Sequence, residues 1–429
     1  MKKLFPLLAM LPATAWAQTP ADSGDTAWLL TATALVLFMS LPGLALFYGG
    51  LVRAKNVLSV LVQCFAIVCV VSVLWVAGVY SLAFAPGSPW LGGLSKAMLV
   101  GIGDGALHGR IPEAVFVMYQ LTFAAITPAL VVGGFAERMK FSAILLLSTL
   151  WLLLVYAPVC HWVWADGGWL NRLGLLDFAG GTVVHITAGV AALVAALTLG
   201  RRDGFPHTPM MPHNMTMTVT GAGMLWVGWF GFNGGSALAA DGHAGMAVLV
   251  THVSAAAGAL SWTALEWRKY RKPSALGIVT GMVAGLGTIT PAAGYVGPGG
   301  ALLIGFVAGL VCFNATHYLK RVLAVDDSLD VFPVHGVGGM LGTFAAGIFA
   351  SDALGVFSGR GYAPGVTMAH QLGVQLLGIV SVALYAGGMT WLLMKVVAAL
   401  TGLRVTAEEE TLGLDTTQHN ERGYDLQSL

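Results

Sequence analysis

Apolar runs of about 20 residues recur along nearly the whole of this 429-residue chain, the length an α-helix needs to cross a bilayer. A backbone inside a bilayer must satisfy its own hydrogen bonds, so a chain patterned this way folds as an all-α polytopic membrane protein. The composition agrees, with 57% of residues hydrophobic and 10% charged, against about 25% charged in a soluble domain. Its 57 glycines let membrane helices approach closely. A formal net charge of +1, with no long basic block, points to neither an acidic partner nor nucleic acid.

Eleven spans can be drawn, at roughly 27–50, 57–85, 112–136, 141–165, 178–200, 214–238, 243–266, 274–293, 298–319, 334–351 and 368–399. Alternate loops hold Arg53 and Lys55, Arg138 and Lys140, Arg201 and Arg202, then Arg268, Lys269, Arg271 and Lys272, then Lys320 and Arg321. The intervening loops hold only Lys96, Arg110, Arg172 and Arg360. The positive-inside rule then predicts an outer N-terminus and a cytoplasmic C-terminus. The first residues agree: Lys2 and Lys3 precede a short apolar run, Leu4 to Leu11, and Ala15-Trp16-Ala17 fits a cleavage site. Residues 1–17 read as a signal peptide removed before Gln18, too short to be an anchor. The expected mature chain is an inner-membrane protein with an eleven-helix domain over 18–402. The polar segment 403–429 is too charged to span; it reads as a cytoplasmic tail, either disordered or docked on a partner.

Spans 1–5 and 6–10 are equal in number and start on opposite sides, the arrangement of an inverted repeat with span 11 as an extra. Span 5 holds "DFAGGTVVHITAG" and span 10 holds "DVFPVHGVGGMLG". Each has an Asp, a Gly- or Pro-interrupted stretch and a His. Interrupted spans at matching positions point to a transport site near the midplane.

His185 and His335 are therefore the first candidates, since ionisable residues inside a membrane are functional by default. Burial favours neutral imidazoles, which can share a hydrogen bond and still offer an acceptor to a small polar solute. Taken as one helix, the segment puts His185 roughly 12 Å below Asp177 and about 80° around the axis. The two then form no acid–base dyad, and Asp177 reads as a cap on free backbone N–H groups. His161, His252, His317 and His370 lack the matching context and read as packing residues. Cys64, Cys69, Cys160 and Cys312 lie in apolar runs with no metal or disulfide spacing and read as small core residues. No cofactor or metal site is expected.

Aromatics form a second constellation. "YQLTFAAIT" sets Tyr119 and Phe123 on one helical face. "HWVWADGGW" ends span 4, and "GWFGFNGGSA" sets Trp229, Phe230 and Phe232 near Ser236. Single aromatics usually anchor the membrane interface; several converging above the histidines can instead form a cation cage.

Together these stretches resemble the ammonium transporter / methylammonium permease / Rh family, in its bacterial, AmtB-like branch. The matching segments are "GLALFYGGLVRAKNVLS", "FAAIT…GGFAERMKFSA", "LDFAGGTVVHI", "GWFGFNGGSA" and "VDDSLDVFPVHGVGG". They are spread over nearly the whole mature chain. The resemblance implies a homotrimer with one narrow pore per subunit. Trp164, Phe123 and Ser236 would recruit ammonium at the periplasmic mouth, and Phe123 and Phe232 would stack as a gate. His185 and His335 would be twin histidines lining an apolar lumen that conducts NH₃. Asp177 would support the outer site, and Phe47 and Tyr48 would lie near the lower pore. Tyr119 stands where a mouth phenylalanine is expected. Methylammonium would serve as an analogue substrate. The tail "GLRVTAEEETLGLDTTQHNERGYDL" resembles one that helps dock a PII-type (GlnK) signal protein.

Other classes remain open at this point. An ammonium sensor could signal through the tail, although no signalling domain is fused to it. A redox enzyme would need a nucleophile, a carboxylate dyad or a metal set, which the histidine pair lacks. A pore for a neutral gas such as CO₂ would not need a cation-attracting mouth.

Overall fold

The computed structural model describes residues 21–424, so the expected signal peptide and the last five residues of the tail, 425–429, lie outside the described residues. The helices, in chain order, are α1 (Ser23–Leu51), α2 (Ala54–Phe84), α3 (Glu113–Phe135), α4 (Phe141–Arg172) and α5 (Gly181–Leu199). There follow α6 (Met215–Trp229, continued by a wide turn Phe230–Gly234), α7 (Gly242–Tyr270), α8 (Ala275–Ile289), α9 (Pro298–Val322), α10 (Phe332–Phe349) and α11 (Met368–Thr401). Among the described residues, nine of these are long and apolar enough to cross a membrane; α8 is shorter and α6 less apolar. Both occupy positions where a span was expected. The chain is thus a multi-pass helical membrane protein.

Apolar length explains the helices, and polar caps set several starts. Asp22, Asn214, Asp241, Ser274 and Thr367 each accept a hydrogen bond from a first-turn backbone N–H. Glycine sets how closely the helices cross. A Cβ on Gly189 of α5 would lie 2.3 Å from the Gly336 backbone of α10, so no other residue fits that crossing. Gly134 of α3 meets Ala192 of α5 as closely, at 2.7 Å. Cys64, Cys160 and Cys312 are core residues as expected, but Cys69 faces outward. In a membrane bundle the outer face is as apolar as the core, so sequence cannot separate the two.

Residues 403–424 of the tail pack on the chain itself, against the start of α2 and the loop after α5. A capping box at Thr406 and Glu409 starts α12 (Ala407–Leu412), and α13 (Leu414–His419) follows. Asp415 accepts from the backbone N–H groups of Leu58 and Ser59, at 3.0 and 2.7 Å. Buried Glu410 accepts from Arg404 and from the N–H of Asp203. The tail's charge, which argued for solvation, is matched by groups at this end of the bundle.

At that end lies a buried ionic cluster. Glu137 takes Arg202 at 2.6 Å and Arg53 at 2.9 Å, and Arg202 also holds Asp326 at 2.7 Å. Burial opposes ionisation of Glu137, but the two guanidinium groups prevail and hold it down at about 2. At the opposite, upper end a short hairpin, β1 (Leu107–His108) with β2 (Ile111–Pro112), pairs His108 with Ile111.

Candidate functional site

His185 lies in the first turns of α5 and His335 in the first turns of α10, each within a wide π-type stretch, Gly181–Ile186 and Phe332–Gly336. The two helices run in opposite directions and cross at Gly189 and Gly336. That crossing brings the rings together: Nδ1 to Nδ1 is 3.1 Å, the centroids are 5.2 Å apart, and the planes differ by 18°. Both are buried, at 1% and 4% exposure. One Nδ1 must donate and the other accept, so two imidazolium rings do not fit this contact. Among the described residues, Nε2 of His185 has no protein partner. Trp229 stacks on His185 at 5.6 Å and 15°. The cavity beside the pair is otherwise apolar, walled by Met39, Phe47, Ile126, Leu130, Leu225 and Val283 among others.

Above the pair, Phe123 and Phe232 stack between this cavity and an upper one, with ring centroids 4.2 Å apart. Trp164 stands edge-on to Phe123 at 5.6 Å and 89°. These two, with Ser236, Phe116, Phe178, Gln120 and His108, line an upper cavity. The structure thus brings together the three residues expected at the mouth. Ser236 donates to the Phe232 carbonyl at 2.9 Å, and its oxygen keeps lone pairs that can accept. Tyr119 is fully buried behind the mouth and does not line it. Its hydroxyl lies 3.0 and 2.8 Å from the carbonyls of Gly231 and Phe232 and 3.3 Å from Ser236. It braces the segment of chain that carries Phe232 and Ser236.

Asp177 lies outside helix α5, not on it. The helix starts at Gly181, and Gly180 has a φ of 112° that turns the chain back. A continuous helix from Asp177 to His185 is therefore wrong, and the expected cap is made from a loop. One carboxylate oxygen accepts from the N–H groups of Gly180 and Gly181, at 2.8 and 2.6 Å. The other accepts from the N–H groups of Thr182 and Val183 and from the Thr182 hydroxyl. The Asp177 carbonyl in turn accepts from Trp164 Nε1 at 3.0 Å. One residue thereby fixes both the histidine helix and the mouth tryptophan.

Below the pair, Phe47 borders the apolar cavity and a lower vestibule, against Tyr48 at 5.9 Å. Tyr48 donates to the Leu130 carbonyl at 3.0 Å. Lys320 and Asp330 pair at 2.9 Å on the vestibule wall. Asp327 accepts from the N–H of Phe332 at 2.7 Å and so caps α10 beneath His335. Burial, and then the neighbouring Asp330, push its carboxyl up to about 7.

Sequence reasoning missed Asp327, Trp229 as a stacking partner, and His108 and Gln120 at the mouth. Asp327 carried a signal, since it precedes the wide turn of α10 much as Asp177 precedes that of α5. His108 carried none, because it sits in a loop outside every span. His161 is structural: its ring nitrogens lie 2.9 Å from the carbonyls of Ala83 and Ser88. His252 packs against Trp226.

Comparison with known proteins places this arrangement. The Ammonium Transporter Family profile matches residues 27–424. An ammonium transporter of Bacillus subtilis is 47% identical over 404 residues, covering 94% of this chain and 98% of the relative. Ammonium transporter Amt1 of Archaeoglobus fulgidus is 46% identical over 406 residues, covering 94% and 100%. Among solved structures, Mep2 of Saccharomyces cerevisiae superposes with a TM-score of 0.82 at 37% identity, over 91% of this chain and 92% of that one. A protein described as a sensor Amt protein gives a TM-score of 0.86 at 28% identity, over 92% and 98%. With a profile match over nearly its whole length and relatives this similar, the chain belongs to the ammonium transporter family.

Proposed function

We propose that this protein recruits NH₄⁺ at the upper mouth, strips it of a proton, and conducts NH₃ past the paired histidines. The observation that carries the reading is a neutral-compatible His185–His335 pair in an otherwise apolar cavity, beneath a closed Phe123–Phe232 contact. A bare cation in such a space is costly. Trp164 offers a cation–π face and Ser236 an acceptor oxygen, so the mouth suits a cation that the lumen rejects. K⁺ is similar in size to ammonium but has no proton to give up. A pore that requires deprotonation therefore discriminates where a carbonyl cage would not.

In this reading the eleven helices all span, with the N-terminus outside, the upper end periplasmic and the basic loops cytoplasmic. The antiparallel α5 and α10 are the matching elements of an inverted repeat. The signal peptide directs the chain to the inner membrane, where it forms a homotrimer. The tail and the lower loops form the surface for a PII-type (GlnK) protein, which closes the exits when nitrogen is plentiful.

A second reading is favoured by one observation: the solved sensor Amt protein has the same fold over 92% of this chain. Ammonium occupancy would then be signalled to a cytoplasmic partner through the packed tail. Uptake of labelled methylammonium by proteoliposomes separates the two. The transport reading predicts uptake that competing ammonium suppresses and K⁺ does not; a folded protein without uptake moves the assignment to a sensor.

A further inference from the structure

We infer that His108 is the base that takes the proton from ammonium at the upper mouth, with the Gln120 carboxamide oxygen holding the cation beside it. The inference rests on the transport reading and names the acceptor that reading leaves unassigned.

Stripping ammonium requires a base in contact with the mouth cavity. The titratable groups there are few, and the structure sorts them. The Asp177 carboxylate already accepts from five donors. Glu113 is engaged by the Tyr80 hydroxyl and the Lys96 ammonium. Tyr119 is buried behind the wall with its hydroxyl among carbonyls. His108 differs: it lines the cavity with Trp164, Phe123 and Ser236. Its ring lies flat on Phe116, with centroids 3.6 Å apart and planes 11° apart. Among the described residues nothing hydrogen-bonds its nitrogens. The stack fixes the ring at the cavity wall, and a neutral imidazole keeps one nitrogen lone pair with no donor on it among the described residues.

Gln120 is a second, independent pointer. It is 9% exposed, lines the same cavity, and its Oε1 has no protein partner. A buried, unpartnered carbonyl oxygen is costly unless something donates to it. An ammonium ion has four N–H donors, enough for one to each of the acceptors on Gln120, Ser236 and His108 that line this cavity.

The step balances simply. One ammonium N–H bond breaks and its electron pair stays on nitrogen, giving ammonia. The proton forms a new N–H bond on His108, which then passes it to water on the outer side. Imidazole is a far better acceptor than water, and it returns the proton readily because it is a weaker base than ammonia. Protonated His108 would also repel the next cation until it resets.

The charged groups facing His108 are Glu113 from α3, Lys96 from the loop after α2, and Asp166 beyond Trp164. Burial is the largest influence and favours the neutral ring; Glu113 and Asp166 oppose it, and Lys96 reinforces it. The ring is therefore neutral at pH 7 and protonates below the ordinary imidazole value of about 6.5.

The test compares unaltered protein, His108→Gln and His108→Phe for ammonium-driven flux in proteoliposomes between pH 5 and 8. His108→Gln keeps an acceptor that cannot be protonated. It should leave half-saturation within about twofold, cut the maximal rate at least about tenfold, and remove the acid-side decline. His108→Phe keeps a ring on Phe116 and should lose rate equally. A His108→Gln protein with the wild-type rate and pH profile overturns the proposal while leaving transport intact. Histidine NMR on the unaltered chain gives a readout that needs neither variant to fold. The His108 resonance should shift on adding ammonium and not on adding K⁺, and an unresponsive resonance overturns the proposal. If the unaltered chain carried no ammonium, the transport reading would fall; the resonance would still decide whether His108 meets the ion.

Discussion

His185 and His335 share one hydrogen bond, Nδ1 to Nδ1 at 3.1 Å, because the helices that carry them touch at Gly189 and Gly336. Each ring fixes the tautomer and orientation of the other. The pair is therefore one structural unit, and groups in direct contact do not contribute additively. Replacing either histidine by alanine should lower ammonium flux by at least about tenfold, and replacing both should lower it no more than about twofold further. A double-mutant cycle on proteoliposome flux checks this; multiplicative losses would mean the rings act separately.

Glu137 joins three loops at the lower end by holding Arg53 and Arg202. Glu137→Gln leaves Arg202 with a buried, half-matched charge and should destabilise the fold by about 3–5 kcal/mol. The pH dependence has a definite sign. The carboxylate is held at about 2, below its ordinary 4.5. Its contribution is therefore complete above pH 4.5 and fades as pH falls toward 2. Thermal unfolding in detergent should show that acid-side loss for the unaltered protein and a shallower one for Glu137→Gln.

Gly413 lets the tail turn onto the start of α2. Its φ is 106°, and a Cβ there would lie 2.6 Å from Lys55 Cβ and 2.7 Å from the Lys55 carbonyl oxygen. Alanine at this position is strained by its backbone as well as by that contact. Gly413→Ala should unseat α12 and α13 and leave the spanning bundle folded. Limited proteolysis should then cut within 403–424 about tenfold faster than in the unaltered protein.

Much of this was legible in the sequence because membrane helices announce themselves by apolar length alone. The positions of the spans, and the likeness of "DFAGGTVVHITAG" to "DVFPVHGVGGMLG", needed only periodicity and spacing. The close crossing of α5 and α10 follows from a pairing of glycines that no single segment reveals. Asp177 was read correctly as a cap, but the positive φ at Gly180 that takes it off the helix is a local backbone choice. The packing of the tail was not legible because charge is the same whether water or protein groups meet it. His108 and Gln120 were invisible because their role depends on which loop folds over which helix end.

The most direct test of the account is current on a solid-supported membrane, read together with internal vesicle pH, after a jump in ammonium and then in K⁺. It is made on the unaltered protein and on the His185→Ala, His335→Ala double variant. The account predicts a signal with ammonium and none with K⁺ for the unaltered protein. The double variant should lose most of the ammonium signal. Full, K⁺-excluding ammonium flux in the double variant would contradict the central claim.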